Sequence, residues 1–231
     1  MGPCWEALYD VKASNTYVTR NLFIHTYHTN GMVTQSSYAP QTTEQVLEWF
    51  PEINDITDED LRNETIHVVL NFPDYFWYAP AAKRHHPVEH QARHGLVLHT
   101  KRVCTTYERL CESMNKQGFL TDDEVNYGRM ACIFHDVLKH GEPPTQPDGT
   151  VKNHDLLASQ WLAQFDLPDK VLGAVESHNG PWYVGKKPTN HLEQIVHMAD
   201  MMASDPNNPN IKVKDPHPVL VEKFPRVEAR E

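Results

Sequence analysis

The stretch Met130 to Gly141, M-A-C-I-F-H-D-V-L-K-H-G, holds the residues best suited to chemistry. His135, Asp136 and Lys139 sit among Ala131, Ile133, Phe134, Val137 and Leu138, an apolar run that predicts a buried helix. Burying an imidazole beside a carboxylate is costly unless both are hydrogen-bonded or bound to a cation. An adjacent His and Asp can reach one ion from a single turn. A second His-Asp pair, His154-Asp155, lies in a more polar setting, so the dipeptide alone carries little weight.

The elements that would position these groups follow from apolar spacing and caps. Thr43 to Phe50 reads as a short helix stopped by Pro51, and Thr57-Asp58-Glu59-Asp60 as the capped start of another carrying Ile66, Val69 and Leu70. Phe72, Tyr75, Phe76, Trp77 and Tyr78 form an aromatic cluster that suits packing or, with the same residues, a base-stacking platform. From Leu96, Val103, Tyr107, Leu110, Cys111 and Met114 recur at helical spacing as far as Gly118, which puts His99 on the inward face. Thr121 to Glu124 is a capping box for the helix leading to His135. Gly141 to Gly149 reads as a loop. Asn153 caps a helix with Leu157, Trp161 and Phe165, and Pro168-Asp169 opens one with Leu172 and Val175 that ends at Ser177-His178-Asn179-Gly180. Asn190 and Glu193 cap a helix bearing Leu192, Ile195, Val196, Ala199, Met202 and Asp200. The predicted fold class is all-α, with an extension of mixed or irregular structure over residues 1–70 and an irregular tail over 206–231. Within the extension, Asn15 to Tyr27 is a candidate strand or short helix, and Asn30-Gly31 a turn.

Composition bounds the alternatives. The 231 residues suit one domain with a substantial core, and the mean hydropathy of -0.60 suits a globular protein. No apolar run has transmembrane length and the N-terminus lacks a secretion-signal layout, so a cytoplasmic protein without a membrane partner is expected. Cys4, Cys104, Cys111 and Cys132 contain no C-x-x-C pair, which predicts reduced thiols. A net charge of -10 argues against a broad nucleic-acid-coating surface. Eleven of the 15 histidines fall between His85 and His197, where metal or proton chemistry is to be sought.

Taken in order, the inward or helix-end polar residues are His99, His135, Asp136, His154, His178 and Asp200. Four imidazoles and two carboxylates on five helices suit two divalent transition metals: Mn or Fe first, with Zn, Co or Ni compatible. Such wide spacing is unlike a zinc finger, whose ligands come in close pairs.

The order H…HD…H…H…D, with Thr100 after His99 and Lys139 three residues after Asp136, resembles the HD-domain superfamily of metal-dependent phosphohydrolases over roughly residues 75–205. Within it, Ala79 to Thr100 (A-P-A-A-K-R-H-H-P-V-E-H-Q-A-R-H-G-L-V-L-H-T), V-E-S-H-N-G and H-M-A-D are similar to segments of bacterial 3′-to-5′ exoribonucleases that carry an HD domain. The resemblance implies an HD-type helical bundle over residues 71–205 and makes His99, rather than His94, the first ligand. Asn179 stands where that subgroup has a second His.

With the resemblance as guide, His99, His135, Asp136 and Asp200 are expected to hold one metal, and Asp136, His154 and His178 the second. A hydroxide shared between the ions would attack a phosphoester, and Lys139 would neutralise a phosphoryl oxygen as charge develops. Lys83, Arg84, Arg93, Lys101 and Arg102 oppose one acid, Glu89, and point to an anionic substrate: a phosphorylated small molecule, a nucleotide or a nucleic-acid 3′ end. Lys83, Arg84, His85, His86, Arg93 and Asn179 are the candidate substrate contacts, with structural hydrogen bonding the alternative for His85 and His86. His94, His140, His191 and His197 are expected as surface or capping residues, and Asp155 as a first-turn residue favoured by the helix dipole. Trp182-Tyr183 suits a pocket wall or core packing equally. Two other readings stand beside the hydrolase: a mixed-valent di-iron oxygenase with the same ligands, and a non-catalytic metal-binding module.

Overall fold

The computed structural model describes residues 38–84, 86–144, 149–182, 185–208 and 211–225. The candidate strand and turn between Asn15 and Gly31 lie outside them. Eight α-helices and no strand occur among the described residues, as the all-α prediction requires. They are α1 (Thr43–Trp49), α2 (Glu59–Val69), α3 (Gly95–Lys116), α4 (Asp122–Phe134), α5 (His154–Leu162), α6 (Asp169–Glu176), α7 (His191–Ser204) and α8 (Pro218–Lys223).

Local chemistry sets most of the boundaries. Thr42, Asp58 and Asn190 accept backbone N–H bonds at the starts of α1, α2 and α7, and Thr121 and Glu124 form the complete capping box of α4. Beyond α3, Gly118 takes a positive φ of 76°, the left-handed turn that favours glycine after a helix. Asn153 precedes α5 but makes no side-chain cap bond. The helix expected to run through Leu138 ends at Phe134. After it, Val137, Lys139 and Gly141 bond back three residues to Phe134, Asp136 and Leu138, so the chain continues in tight turns.

The longest helix, α3, packs against α4 and α7; α4 also meets α6, which lies on α5. The buried core runs from Val46 and Trp49 through Phe72, Phe76 and Trp77 to Val196 and Leu220. It draws on both sides of the boundary expected at residue 70, and the aromatic cluster serves packing, apart from Tyr78, which is exposed. The tail is not wholly irregular, since Leu220 of α8 and Phe224 after it are buried.

Close approach of α3 to α4 depends on Gly128. A Cβ there would lie 2.0 Å from Oη of the buried Tyr107, which donates to the Val125 carbonyl. Gly128→Ala is expected to destabilise the fold by about 1–3 kcal/mol through overpacking, despite alanine's better helix propensity, as read from urea denaturation.

Candidate metal centre

Five elements converge on one buried point. His99 comes from the second turn of α3, His135 and Asp136 from the end of α4, His154 from the first position of α5, His178 from just beyond α6, and Asp200 from α7. All six are at most 4% exposed. His99 Nε2 lies 3.2 Å from His135 Nε2 and 3.1 Å from Asp200 Oδ1. His154 Nε2 lies 3.3 Å from His178 Nε2, and both face Asp136 Oδ1, at 3.1 and 3.5 Å. The other oxygen of Asp136, Oδ2, is 3.4 Å from both His99 and His135. One carboxylate thus joins two groups, His99–His135–Asp200 and Asp136–His154–His178, and each could hold a metal ion.

The nitrogen chemistry fits a cation. His135, His154 and His178 each direct Nδ1 at a carbonyl three residues back, of Cys132, Val151 and Val175, at 2.7–2.8 Å. A carbonyl only accepts, so the ring proton is on Nδ1 and Nε2 carries a bare lone pair. The lone pairs of His154 and His178 therefore face each other at 3.3 Å, a repulsive contact that a cation between them removes. Metal–nitrogen bonds of about 2.1 Å at tetrahedral angles separate ligand atoms by roughly 3.4 Å, close to the spacing in both groups.

Electrostatics prepares the carboxylates as anions. Burial alone would raise both pKa values, but Lys139 and His135 hold the Asp136 carboxyl well below the usual range, and the His99 hydrogen bond lowers that of Asp200. Burial holds His154 below the ordinary imidazole value; for His135 the same burial is outweighed by Asp136, which raises it.

The remaining predicted residues divide. Lys139 donates from Nζ to Asp136 Oδ2 and lies at the centre. Asn179 places Nδ2 3.1 Å from His154 Nε2. His86 packs edge-on against His99 with ring centroids 5.1 Å apart, while Lys83 and Arg84 are exposed on the loop leading to it. His85 lies outside the described residues. Arg93 is not brought to the centre: its guanidinium covers the Tyr38 ring. Lys101, counted among the cations facing an anionic substrate, is instead fully buried and paired with Glu52 at 2.8 Å.

Of the histidines expected as surface or capping residues, His191 is exposed and His94 is the N-cap residue of α3, while His94, His140 and His197 also make interior hydrogen bonds. His94 reaches the Trp77 carbonyl, His140 joins the carbonyls of Gly149 and Pro80, and half-buried His197 reaches that of His178. Asp155 stands in the first turn of α5, as expected, and is fully buried, with Oδ1 accepting from the Leu156 N–H. Of the Trp182-Tyr183 pair, Trp182 is 71% exposed, which excludes core packing for it, and Tyr183 lies outside the described residues. Sequence reading passed over His90, which is fully buried beside His99; histidine density was the only signal there.

Burial lowers the pKa of His86 to about 3 and that of His90 well below its ordinary value, with His99 adding to each effect. Both stay neutral when folded but protonate near pH 6.5 when unfolded, so their stabilisation is full above that pH and is lost as pH falls toward 3. His135 opposes this, so the difference between wild type and His86→Asn is the readout. Between pH 7 and 5, urea denaturation is expected to show wild type losing more stability than the variant. The extra loss stays below the one-proton limit of about 1.4 kcal/mol per pH unit, because His86 is only half-buried.

Fold and centre together define an all-α protein with two adjoining His/Asp groups that could hold metal. Residues 96–205 match the family model of the HD domain, which supports placing this region in the HD-domain superfamily of mainly metal-dependent hydrolases. No curated protein and no solved structure gives a significant match. No described helix is long and apolar enough to cross a membrane.

Proposed function

We propose that the chain is a dinuclear metal-dependent phosphohydrolase or phosphodiesterase acting on a nucleotide or a nucleic-acid 3′ end. The observation that carries this reading is Asp136, whose two oxygens face two separate histidine groups while Lys139 caps one of them. His99, His135, Asp136 and Asp200 would hold one divalent ion, and Asp136, His154 and His178 the other. When bound, such ions supply an acidified water and a clamp for phosphoryl oxygens.

The chain's own residues do the rest. Carbonyl bonds at Nδ1 fix the tautomer and ring orientation of three histidines and raise their basicity as ligands. Lys139, held beside Asp136, offers its ammonium to a phosphoryl oxygen as charge develops. Lys83 and Arg84 supply cations on the loop that ends at His86, and the Asn179 amide provides a polar contact beside the second group.

Elemental analysis of the purified protein, paired with a phosphoester panel in added manganese, tests this reading. The panel would hold a chromogenic diester, mononucleotides, dNTPs, cyclic nucleotides and short RNA. About two metals per chain with turnover of any member is the expected result. Two irons with oxygen consumption and no phosphoester turnover would favour the di-iron oxygenase. A metal-loaded but inert protein would favour a binding module, and absence of bound metal would contradict all three.

A further inference from the structure

A third histidine group lies across the His99 ring from the centre. His86, His90 and His99 offer ring nitrogens within 4.8 Å of one another. Nδ1 of each is buried without a hydrogen-bond partner. His90 and His99 are fully buried, and His86 is half-buried on the loop bearing Lys83 and Arg84.

Three clustered imidazoles suggest a further metal, but the proton positions argue otherwise. Arg102 directs a guanidinium nitrogen at His90 Nε2 at 2.9 Å. A guanidinium can only donate, so His90 Nε2 accepts and its proton resides on Nδ1. Without metal, His99 Nε2 hydrogen-bonds Asp200; with a metal held there Nε2 is the ligand atom and the proton is on Nδ1 as well, a step that rests on the function proposed above. His86 lacks a partner at Nδ1 among the described residues and can present a proton there. Two N–H groups, and a third available, thus line a cluster whose ring nitrogens lie within 4.8 Å and where, among the described residues, no carbonyl or carboxylate accepts them. Such a cluster repels a cation and lacks an oxygen.

We propose that His86, His90 and His99 form a subsite for a phosphoryl oxygen, holding the phosphoryl group of the substrate next to the one at the metal centre. An imidazole's Nδ1 and Nε2 lie on opposite sides of the ring, so an oxygen on the His99 Nδ1 side belongs to a neighbouring group of the substrate. Cations flank the group: Arg102 stands behind His90, and Lys139 is close enough to depress His86, against which Asp200 and Asp136 act in the opposite sense until metal ions neutralise them. Glu89 is 3.9 Å from Arg102 and offsets only part of that charge. The substrate class implied is a di- or oligophosphate, or a chain of consecutive phosphodiesters.

Binding of inorganic phosphate and of non-hydrolysable imidodiphosphate to the metal-loaded protein tests this, with metals per chain counted in each sample. Wild type is expected to bind two metals and to prefer imidodiphosphate. His86→Ala should keep both metals and its phosphate affinity but lose roughly tenfold or more of the imidodiphosphate preference, the worth of one charge-assisted hydrogen bond. His86→Asn, whose amide can place a donor near the Nδ1 position, should retain most of it. Unchanged preference in His86→Ala with two metals bound would overturn the subsite and leave the proposed function standing. Three metals in wild type falling to two in His86→Ala would show the group to be a third metal site and overturn the subsite. A wild-type protein without metal would remove the basis of both proposals.

Discussion

Asp136→Asn is expected to reduce bound metal from two ions per chain to one or none and to lower phosphoester turnover by at least about 10³-fold. The side chains are nearly isosteric, so the effect is chemical. Asp136 Oδ2 faces His99 and His135, and Oδ1 faces His154 and His178. An amide keeps one acceptor oxygen, turns its NH₂ toward the other histidine pair and removes the charge that neutralises Lys139 and two ions. Melting with and without chelator separates this from misfolding. The metal-free variant should melt below metal-free wild type, because buried Lys139 loses its counter-charge, yet still unfold cooperatively, whereas the stabilisation by added metal, about 4 kcal/mol at a thousandfold excess over Kd in wild type, should be much reduced or lost in the variant. A variant that retains two ions and full turnover would contradict the assignment of Asp136.

Lys101→Met is expected to destabilise the fold by about 3–5 kcal/mol without touching the centre. Lys101 is fully buried in α3, where its ammonium meets both Glu52 oxygens at 2.8 Å and the Trp49 carbonyl at 3.1 Å. Burial already raises the Glu52 pKa, and Lys101 is the chief group opposing that rise. Without it, the raised folded pKa means that the variant is relatively stable at low pH and loses stability as pH rises through that value. Urea denaturation at pH 7 should therefore show a larger deficit than at pH 5. Lys101→Met combined with Glu52→Gln should recover most of the loss, because the penalty is the uncompensated charge. A single variant as stable as wild type at pH 7 would show that the pair is not buried in solution.

Much of the organisation is readable along the chain because its causes are local. The helix caps, the glycine after α3 and the 3.6-residue apolar spacing each involve neighbours within a few positions, and they place α1 to α7 to within a few residues. The six candidate ligands were readable for a related reason. A charged or polar side chain on an otherwise apolar face must have a buried partner, and His99, His135, Asp136 and Asp200 all stand on such faces. The structure brings the six together as two groups sharing one carboxylate.

Tertiary structure decided what depends on partners distant in sequence. Lys101 and Arg93 look alike as basic residues, yet one is sealed against Glu52, 49 positions away, and the other lies over Tyr38. His90 and His140 carry no local mark of burial; one is held by Arg102 from the next helix and the other by Pro80, 60 positions earlier. The end of α4 at Phe134 and the docking of Leu220 likewise follow from packing around the core. A helix cap or an apolar stripe is set by adjacent residues and leaves a pattern in the chain. Whether a charge is buried, and which nitrogen of an imidazole holds its proton, is set by whatever the fold places against it.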